Sequence, residues 1–226
     1  MKTPSLTGFS TVHLVGGGFV DYSCLKSELA NATCIVAVDG GAGAVLEAGF
    51  LPDLVVGDLD SLDAADRSAI PADRIVHISE QDSTDFDKAL RHISALLTEA
   101  HGFLGKRSDH GLAALNVLAR YPDKRCILHA ENDLIMLCPP DLKLQLPAGC
   151  RVSVFPMAPV TGRSIGLRWP IDGIEFTPWG RIGTSNEATG PVHLNMDDPG
   201  MLLILPPEQL DALRSGLRAA PMWPDA

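Results

Sequence analysis

The sequence predicts an α/β protein in which a Rossmann-like parallel sheet flanked by helices is followed by a smaller all-β sandwich or barrel domain. Short apolar runs alternate with helical segments through the first part of the chain, which is typical of a parallel sheet covered on both faces. After Pro139-Pro140 the pattern changes to short apolar or alternating runs separated by glycine and proline, which indicates antiparallel strands. We therefore expect one domain over residues 1–138 and a second over residues 141–226.

The elements of the first domain are expected to alternate between strand and helix. Apolar runs predict strands at 12–15, 34–38, 54–56, 74–78, 126–128 and 134–137. Helical patterns occupy 22–30, 42–48, 63–70, 84–98 and 112–119. The helix over 84–98 is predicted because Phe86, Leu90, Ile93 and Leu97 recur at helical spacing and would face the core. The second domain is expected to hold strands at 142–146, 152–155, 174–176, 192–196 and 201–205, and a closing helix over 206–217.

Composition limits the partners and the compartment. The chain has 226 residues, 46% of them apolar, which is enough to bury one large or two small cores. The net charge of -10 argues against nucleic acid or an anionic membrane as a partner. The five cysteines form no Cys-x-x-Cys pair, so we expect free thiols and a reducing, cytoplasmic location. Neither a signal peptide nor a membrane-spanning segment is expected.

An acidic motif follows the buried strand predicted at 54–56. Asp58 and Asp60 come just past the carboxyl end of this strand, where open α/β sheets place their ligands. Side chains at i and i+2 of an extended segment point the same way, so the two carboxylates can converge. Two such charges repel each other and need a cation, and hard oxygen ligands suit Mg²⁺.

A second acidic motif runs from Gln81 to Lys88. Thr84 is expected to cap the following helix, while Asp82 and Asp85 lie at or before its first turn. Taken alone, either motif is typical of a turn, a helix cap or a complement to the helix dipole. Two acid clusters at strand–helix junctions indicate instead a site that holds a cation.

Two glycine-containing segments follow the first two predicted strands. The run Gly16-Gly17-Gly18 fits either a tight turn or a loop whose backbone approaches a phosphate, and the residues alone leave both open. In Asp39-Gly40-Gly41, the two glycines permit close backbone approach to a ligand.

Five motifs in order resemble those of the thiamine pyrophosphokinase family. They are Asp39-Gly40-Gly41-Ala42, Pro52-Asp53 with residues 56–61, Asp82 to Lys88, Gly105 to His110, and Ser185-Asn186-Glu187. The segment before Gly105 is shorter than the family's strand there, and Lys106 replaces the second glycine of the family's Gly-Gly-Arg. Trp169 replaces the tyrosine of its Gly-Leu-x-Tyr-Pro segment.

The resemblance implies transfer of the pyrophosphoryl group of ATP to thiamine, giving thiamine diphosphate and AMP. It implies that the first domain binds Mg²⁺ and ATP and that the second helps to bind thiamine. It also implies a homodimer, with composite active sites in which the acidic residues come from one chain and the Ser-Asn-Glu segment from its partner.

The resemblance also suggests a role for each motif residue. The metal ligands and catalytic acids would be Asp58, Asp60, Asp82 and Asp85. Arg107 would grip phosphate oxygens bidentately and offset charge that develops on them. The nucleotide and its phosphates would contact Gly17, Asp39, Gly40, Gly41, Ser61, Gln81, Ser83, Lys88 and Asp109. Thiamine would contact Ser185, Asn186 and the face of Trp179, because aromatic faces attract cations such as thiazolium.

Two other functions compete with this one. In a haloacid-dehalogenase-type phosphatase, Asp58 would be the nucleophile and Asp60 its acid–base partner. That function explains neither the second acidic motif nor the carboxyl-terminal domain. A non-catalytic nucleotide-binding module would bind ATP without consuming it, but four clustered acids exceed what binding alone requires.

Overall fold

A computed structural model describes residues 6–80 and 82–224 of the chain. Contacts between Cα atoms divide it into two compact units, Met1–Val117 with Leu128–Glu131, and Leu118–Ile127 with Asn132–Ala226. Helices occur together with parallel and antiparallel strand pairs, so the expected mixed α/β fold is confirmed.

The first unit contains most of the helices of the chain. Its strands are β1 (Leu6–Phe9), β2 (Val12–Val15), β3 (Ile35–Val38), β4 (Leu54–Gly57), β5 (Ile75–His77), β6 (Ile93–Ala95), β7 (Thr98–His101) and the end of β8 (Cys126–His129). Its helices are α1 (Tyr22–Leu29), α2 (Gly41–Glu47), α3 (Ala64–Ala69), α4 (Asp85–His92) and most of α5 (Ser108–Arg120). A short 3₁₀ turn, Ala72–Arg74, precedes β5.

Five strands of this unit lie side by side in the order β7, β2, β3, β4, β5, and every neighbouring pair is parallel. The apolar residues of one face pack against α1 and α2, and α4 contacts β3 and β4; β2, β3 and β4 are buried at every position. Parallel strands carry their carboxyl ends to one edge of the sheet. The segments that begin at Gly16, Asp39, Asp58 and Gly102 therefore start at that same edge.

Helix α4 is shorter than the sequence pattern predicts. It begins after Thr84, whose Oγ1 accepts a hydrogen bond from the Asp87 N–H, but it ends at His92 rather than near residue 98. Ile93 is extended and starts β6, which pairs with β1. Ile93 and Leu97 are buried as the period suggested, yet Ile93 belongs to β6 and Leu97 lies in the short link between β6 and β7. The pairing of β6 with β1 has overridden the local helical pattern, because tertiary contacts often outweigh local helix propensity.

The second unit is rich in antiparallel pairs. It contains β9 (Leu134–Leu137), β10 (Asp141–Leu144), β11 (Arg151–Pro156), β12 (Gly162–Leu167), β13 (Gly183–Met196), β14 (Met201–Leu205) and helix α6 (Leu210–Ala219). The order is β10, β13, β11, β14, β9, with β12 also paired to β13. The predicted strand at 174–176 is only a pair of isolated bridges around Phe176, whereas β12 was not predicted.

All five cysteines are free thiols, and only Cys24 is exposed. Burial raises the pKa of Cys34 to about 11 and that of Cys138 to about 12, so both thiols stay protonated at neutral pH. Within residues 6–80 and 82–224, no helix combines the length and the apolar character that crossing a bilayer requires.

Candidate active site

A cavity of about 670 Å³ opens in the first unit, where β2, β3, β4 and β7 end. Three acids and three bases line it, together with backbone from the glycine-containing segments. The charged residues are Asp39, Asp58, Asp85, Lys88, Lys106 and Arg107. A site that pairs carboxylates with cations can hold a metal ion and phosphate groups together.

The acids closest together are Asp39, Asp58 and Asp60. Each has a carboxylate oxygen within 4.8 Å of the other two. Ser61 joins them, because its N–H donates to Asp39 at 3.3 Å and its hydroxyl donates to Asp60 at 2.9 Å. The Asp60 N–H in turn donates to Asp58 at 3.3 Å. Sequence reasoning assigned Asp39 to the nucleotide, and the structure brings it into the carboxylate cluster.

The backbone at this cluster is strained. Asp39 has a φ of 49° and Leu59 a φ of 65°, in the left-handed region that few non-glycine residues adopt. The turn at Leu59 brings Asp60 back toward Asp58 and Asp39. Such strain persists only where the surrounding structure imposes it, and it is found preferentially at functional sites.

The donor set of this cluster fits Mg²⁺. Three carboxylates supply hard oxygen ligands, and the cavity beside them has room for the water and phosphate oxygens that complete an octahedron. Burial raises the pKa of Asp39, and the charges of Asp60 and Asp85 raise it further against the opposing hydrogen bonds from Ser61. A bound cation offsets this cost because it favours the ionised carboxyl group.

The second acidic motif contributes a buried ion pair. Lys88 Nζ lies 2.9 Å from Asp85 Oδ1, and the side chains are 2% and 29% exposed. Both residues line the cavity, so Lys88 offers its charge there while Asp85 balances it. Ser83 lines the cavity as well, and its hydroxyl donates to Glu80 at 2.6 Å.

Arg107 lines the cavity but is held by its neighbour. Its Nε and Nη2 lie 3.1 Å and 2.5 Å from the two carboxylate oxygens of Asp109, and both side chains are exposed. A phosphate that Arg107 grips would compete with this fork. Asp109 itself does not line the cavity, so it can influence the cavity only by holding Arg107.

The two glycine-containing segments meet beside the cavity. Gly17 and Gly40 line it, and a Cβ added at Gly17 would lie 3.4 Å from the Gly40 carbonyl carbon. Gly41 does not line the cavity, and a Cβ there would lie 2.0 Å from the Val15 carbonyl oxygen. Gly41 is therefore needed for packing of α2 against β2.

Several predicted site residues lie elsewhere. Asp82 is exposed and does not line the cavity. Asp60 does not line it either, but its carboxylate lies close to those of Asp39 and Asp58, which do. Gln81 lies outside the described residues. The metal assignment of Asp82 stays a prediction.

The candidate thiamine residues belong to the second unit. Asn186 uses its side-chain amide locally: it donates to the Trp169 carbonyl at 2.6 Å and accepts from the Trp169 N–H at 3.2 Å. Ser185 has a φ of 62° and donates its N–H to Ser153. Trp179 is 79% exposed, which leaves its ring face accessible.

Sequence reasoning missed Lys106 and Phe103 as cavity residues, and it assigned no role to His110, which closes the Gly105 to His110 motif and also lines the cavity. Lys106 Nζ donates to the Gly17 carbonyl at 2.9 Å and so fixes the first glycine-containing segment. The signal was present, because a lysine that replaces a glycine in a basic segment brings a new charge to the site.

Residues 25–129 match the family described as thiamin pyrophosphokinase, catalytic domain. Over these residues the chain is similar to the catalytic domain of the thiamine pyrophosphokinase family. The resemblance drawn from the motifs is therefore confirmed, and the match covers the whole carboxylate cluster, Lys88 and Arg107.

Relatives of this family extend the similarity beyond the matched segment. A thiamine pyrophosphokinase of Arabidopsis thaliana is 32% identical over 156 residues, 61% of this chain, and the chain spans 58% of that protein's length. A thiamin pyrophosphokinase structure from Geobacillus thermodenitrificans has a TM-score of 0.72 at 26% identity, over 87% of this chain and 96% of that one. One from Candida albicans has a TM-score of 0.75 over 91% and 95%, and its 17% identity supports the fold alone.

Proposed function

We propose that this protein is an ATP:thiamine diphosphotransferase, which transfers the pyrophosphoryl group of ATP to thiamine and releases AMP. The observation that carries the proposal is the cavity in which Asp39 and Asp58 face Lys88 and Arg107, within the segment that matches the family's catalytic domain. Carboxylates for a metal and cations for phosphates are the parts that phosphoryl transfer requires.

The proposal assigns a task to each domain. A Rossmann-like domain over residues 1–138 binds Mg²⁺ and ATP, and a smaller all-β domain over residues 141–226 binds thiamine. The parallel order of β7, β2, β3, β4 and β5 supports the first assignment, and the antiparallel pairs of β9 to β14 support the second. The five free thiols support a reducing, cytoplasmic location.

The metal would be held by Asp39, Asp58 and Asp60, with Asp85 and the exposed Asp82 as further acids of the site. When bound, Mg²⁺ neutralises charge on the phosphate oxygens and orients them for in-line displacement. Lys88 and Arg107 hold the phosphates from the basic side of the cavity. The backbone of Gly17 and Gly40, with Ser61 and Ser83, forms the remaining contacts to the nucleotide.

The reaction begins with attack of the thiamine hydroxyl oxygen on the β-phosphorus of ATP. A carboxylate of the acidic cluster accepts the hydroxyl proton, and AMP leaves. Charge accumulates on phosphate oxygens during this step, so the residues act mainly by positioning and by electrostatic stabilisation. Ser185, Asn186 and Trp179 orient thiamine, with Trp179 offering its exposed ring to the thiazolium cation.

Arg107→Lys is expected to lower kcat by roughly tenfold to a hundredfold although the charge is kept, because an ammonium group cannot reproduce a planar two-point grip on phosphate. Steady-state kinetics with ATP as the varied substrate will measure the effect. Arg120→Lys, on an exposed arginine of α5, is the matched control. Wild-type kcat in Arg107→Lys would mean that Arg107 only forms the ion pair with Asp109 and does not contact the phosphates.

The homodimer is a further part of the proposal. Asp58 of one chain and Ser185-Asn186 of its partner would form each active site, so that a two-fold dimer holds two composite sites. The proposal explains how a nucleotide site in one domain can act on a thiamine held by the other.

Subunit mixing tests the composite site. Asp58→Asn and the Ser185→Ala/Asn186→Ala variant are each expected to be nearly inactive. In a mixed dimer one site collects both defects and the other has neither, so random exchange should restore roughly a quarter of wild-type activity. No recovery after verified exchange would show that each site is built within one chain.

Product analysis tests the function itself. The protein is incubated with ATP, Mg²⁺ and thiamine, and the nucleotides are separated. We expect AMP and thiamine diphosphate in equal amounts. Release of free phosphate would favour the phosphatase, and unchanged ATP would favour the non-catalytic binding module. No observation on the structure favours either alternative.

A further inference from the structure

A second cluster of metal-binding side chains lies in the first unit, apart from the carboxylates of the cavity. It consists of His13 on β2 with Glu99 and His101 on β7, and one ligand atom of each lies within 4.8 Å of those of the other two. All three are almost fully buried, with exposures of 4%, 1% and 4%. No sequence motif pointed to these residues.

The sheet register explains why they meet. β2 and β7 are parallel neighbours, and His13 stands opposite Glu99. His101 lies two residues beyond Glu99, and side chains at i and i+2 share one face of a strand. Glu99 and His101 are unusual on a strand that is buried at every position, because buried strands are usually apolar.

The distances suit a shared metal ion. His13 Nδ1 and His101 Nε2 are 3.3 Å apart, which without a metal ion is a hydrogen bond between the two rings. Two nitrogens bound to one tetrahedral zinc ion are also about 3.3 Å apart, because each Zn–N bond is about 2.0–2.1 Å long. Two imidazoles and one carboxylate form a donor set that zinc sites use, whereas Mg²⁺ prefers oxygen ligands alone.

His129 provides the outer contact that such sites need. Its Nε2 lies 3.1 Å from Glu99 Oε2, and its ring centroid lies 4.1 Å from that of His101. Ligating carboxylates are usually held by a hydrogen-bond partner that fixes their orientation. Positive charge nearby stabilises a carboxylate as buried as Glu99, and a metal ion would add to what His129 provides.

We propose that His13, Glu99 and His101 bind a divalent transition-metal ion of the zinc type, with His129 as the outer partner of Glu99. The metal would link β2 to β7 next to the carboxyl ends of both strands, where the cavity opens. There the Gly16 N–H donates to the His101 carbonyl at 2.8 Å, and the Gly18 N–H donates to the Gly102 carbonyl at 2.6 Å. The metal therefore stabilises the first glycine-containing segment and takes no part in the chemistry. This inference does not depend on the proposed function.

The test is a metal titration of the full chain after removal of metals by a chelator. Co²⁺ is added in excess MgCl₂, which occupies the carboxylate cluster, and tetrahedral Co²⁺ is read from its visible absorption before Zn²⁺ displaces it. One equivalent is expected to bind, and Zn²⁺ is expected to raise the melting temperature. His13→Gln and Glu99→Gln should each weaken Co²⁺ binding by more than about tenfold, the loss that removal of an outer-shell partner already causes.

Two controls separate this site from others. His77→Gln, on an exposed histidine of β5, and Asp58→Asn, in the carboxylate cluster, should both keep the Co²⁺ spectrum. Loss of the spectrum in Asp58→Asn, or its retention in His13→Gln, would overturn the proposal, as would no binding by the wild type. If the buried variants do not fold, X-ray absorption of the Zn²⁺-loaded wild type replaces them. Imidazole scattering from two histidines supports the site, and an oxygen-only shell contradicts it.

Discussion

Asp58→Asn is expected to lower turnover by roughly a thousandfold, because it removes a charge from the cluster that would hold the metal and so the electrostatic stabilisation of the transferring group. The free energy of unfolding should change by less than about 1 kcal/mol, since one of several mutually repelling carboxylates becomes neutral. Steady-state turnover and urea unfolding of the same preparations will measure the two quantities.

The matched control is Asp73→Asn, which removes the same charge from an exposed position in the same unit. It should keep wild-type turnover and stability. Near-wild-type turnover in Asp58→Asn would remove the carboxylate cluster from the mechanism, and a large loss of stability would make its role structural.

Asp85→Asn should cost both activity and stability. It leaves the ammonium group of Lys88, 2% exposed, without the carboxylate that lies 2.9 Å away. Removing one partner of a fully buried pair costs about 3–5 kcal/mol, and we expect about 2 kcal/mol here because Asp85 is 29% exposed. Turnover should also fall by roughly a hundredfold or more, since Lys88 loses its fixed position in the cavity.

The double variant Asp85→Asn/Lys88→Met separates the two effects. With neither charge of this pair left, it should regain most of the lost stability while its turnover stays low. If Asp85→Asn unfolds at the wild-type urea concentration, the pair does not stabilise the fold. If the double variant recovers turnover, neither residue serves the reaction.

Local patterns in the sequence predicted three of the four strands whose ends surround the cavity, β2, β3 and β4, but not β7. The apolar runs at β2, β3 and β4 are buried at every position, as expected for strands of a parallel sheet covered on both faces. The acidic residues after β4 could be assigned to the edge of the sheet, because they directly follow the carboxyl end of a predicted parallel strand. The end of α4 could not be predicted, because the pairing of β6 with β1 joins residues far apart in sequence.

Which side chains converge depended on three-dimensional geometry. Asp39 joins Asp58 and Asp60 because parallel pairing sets β3 beside β4 and because the turn at Leu59 reverses the chain. The cluster of His13, Glu99 and His101 follows from the register of β2 and β7, which no short motif encodes. The spacing of Asp82 and Asp85 was visible, but only the structure separates the exposed residue from the one paired with Lys88.

Labelled ATP tests the central claim, transfer of an intact pyrophosphoryl group from ATP to thiamine, most directly. The protein is incubated with Mg²⁺, thiamine and ATP that carries ³²P only in its γ-phosphate, and the products are separated. We expect the label in the terminal phosphate of thiamine diphosphate, with one AMP formed for each labelled product. Labelled thiamine monophosphate with ADP, or label released only as inorganic phosphate, would contradict it.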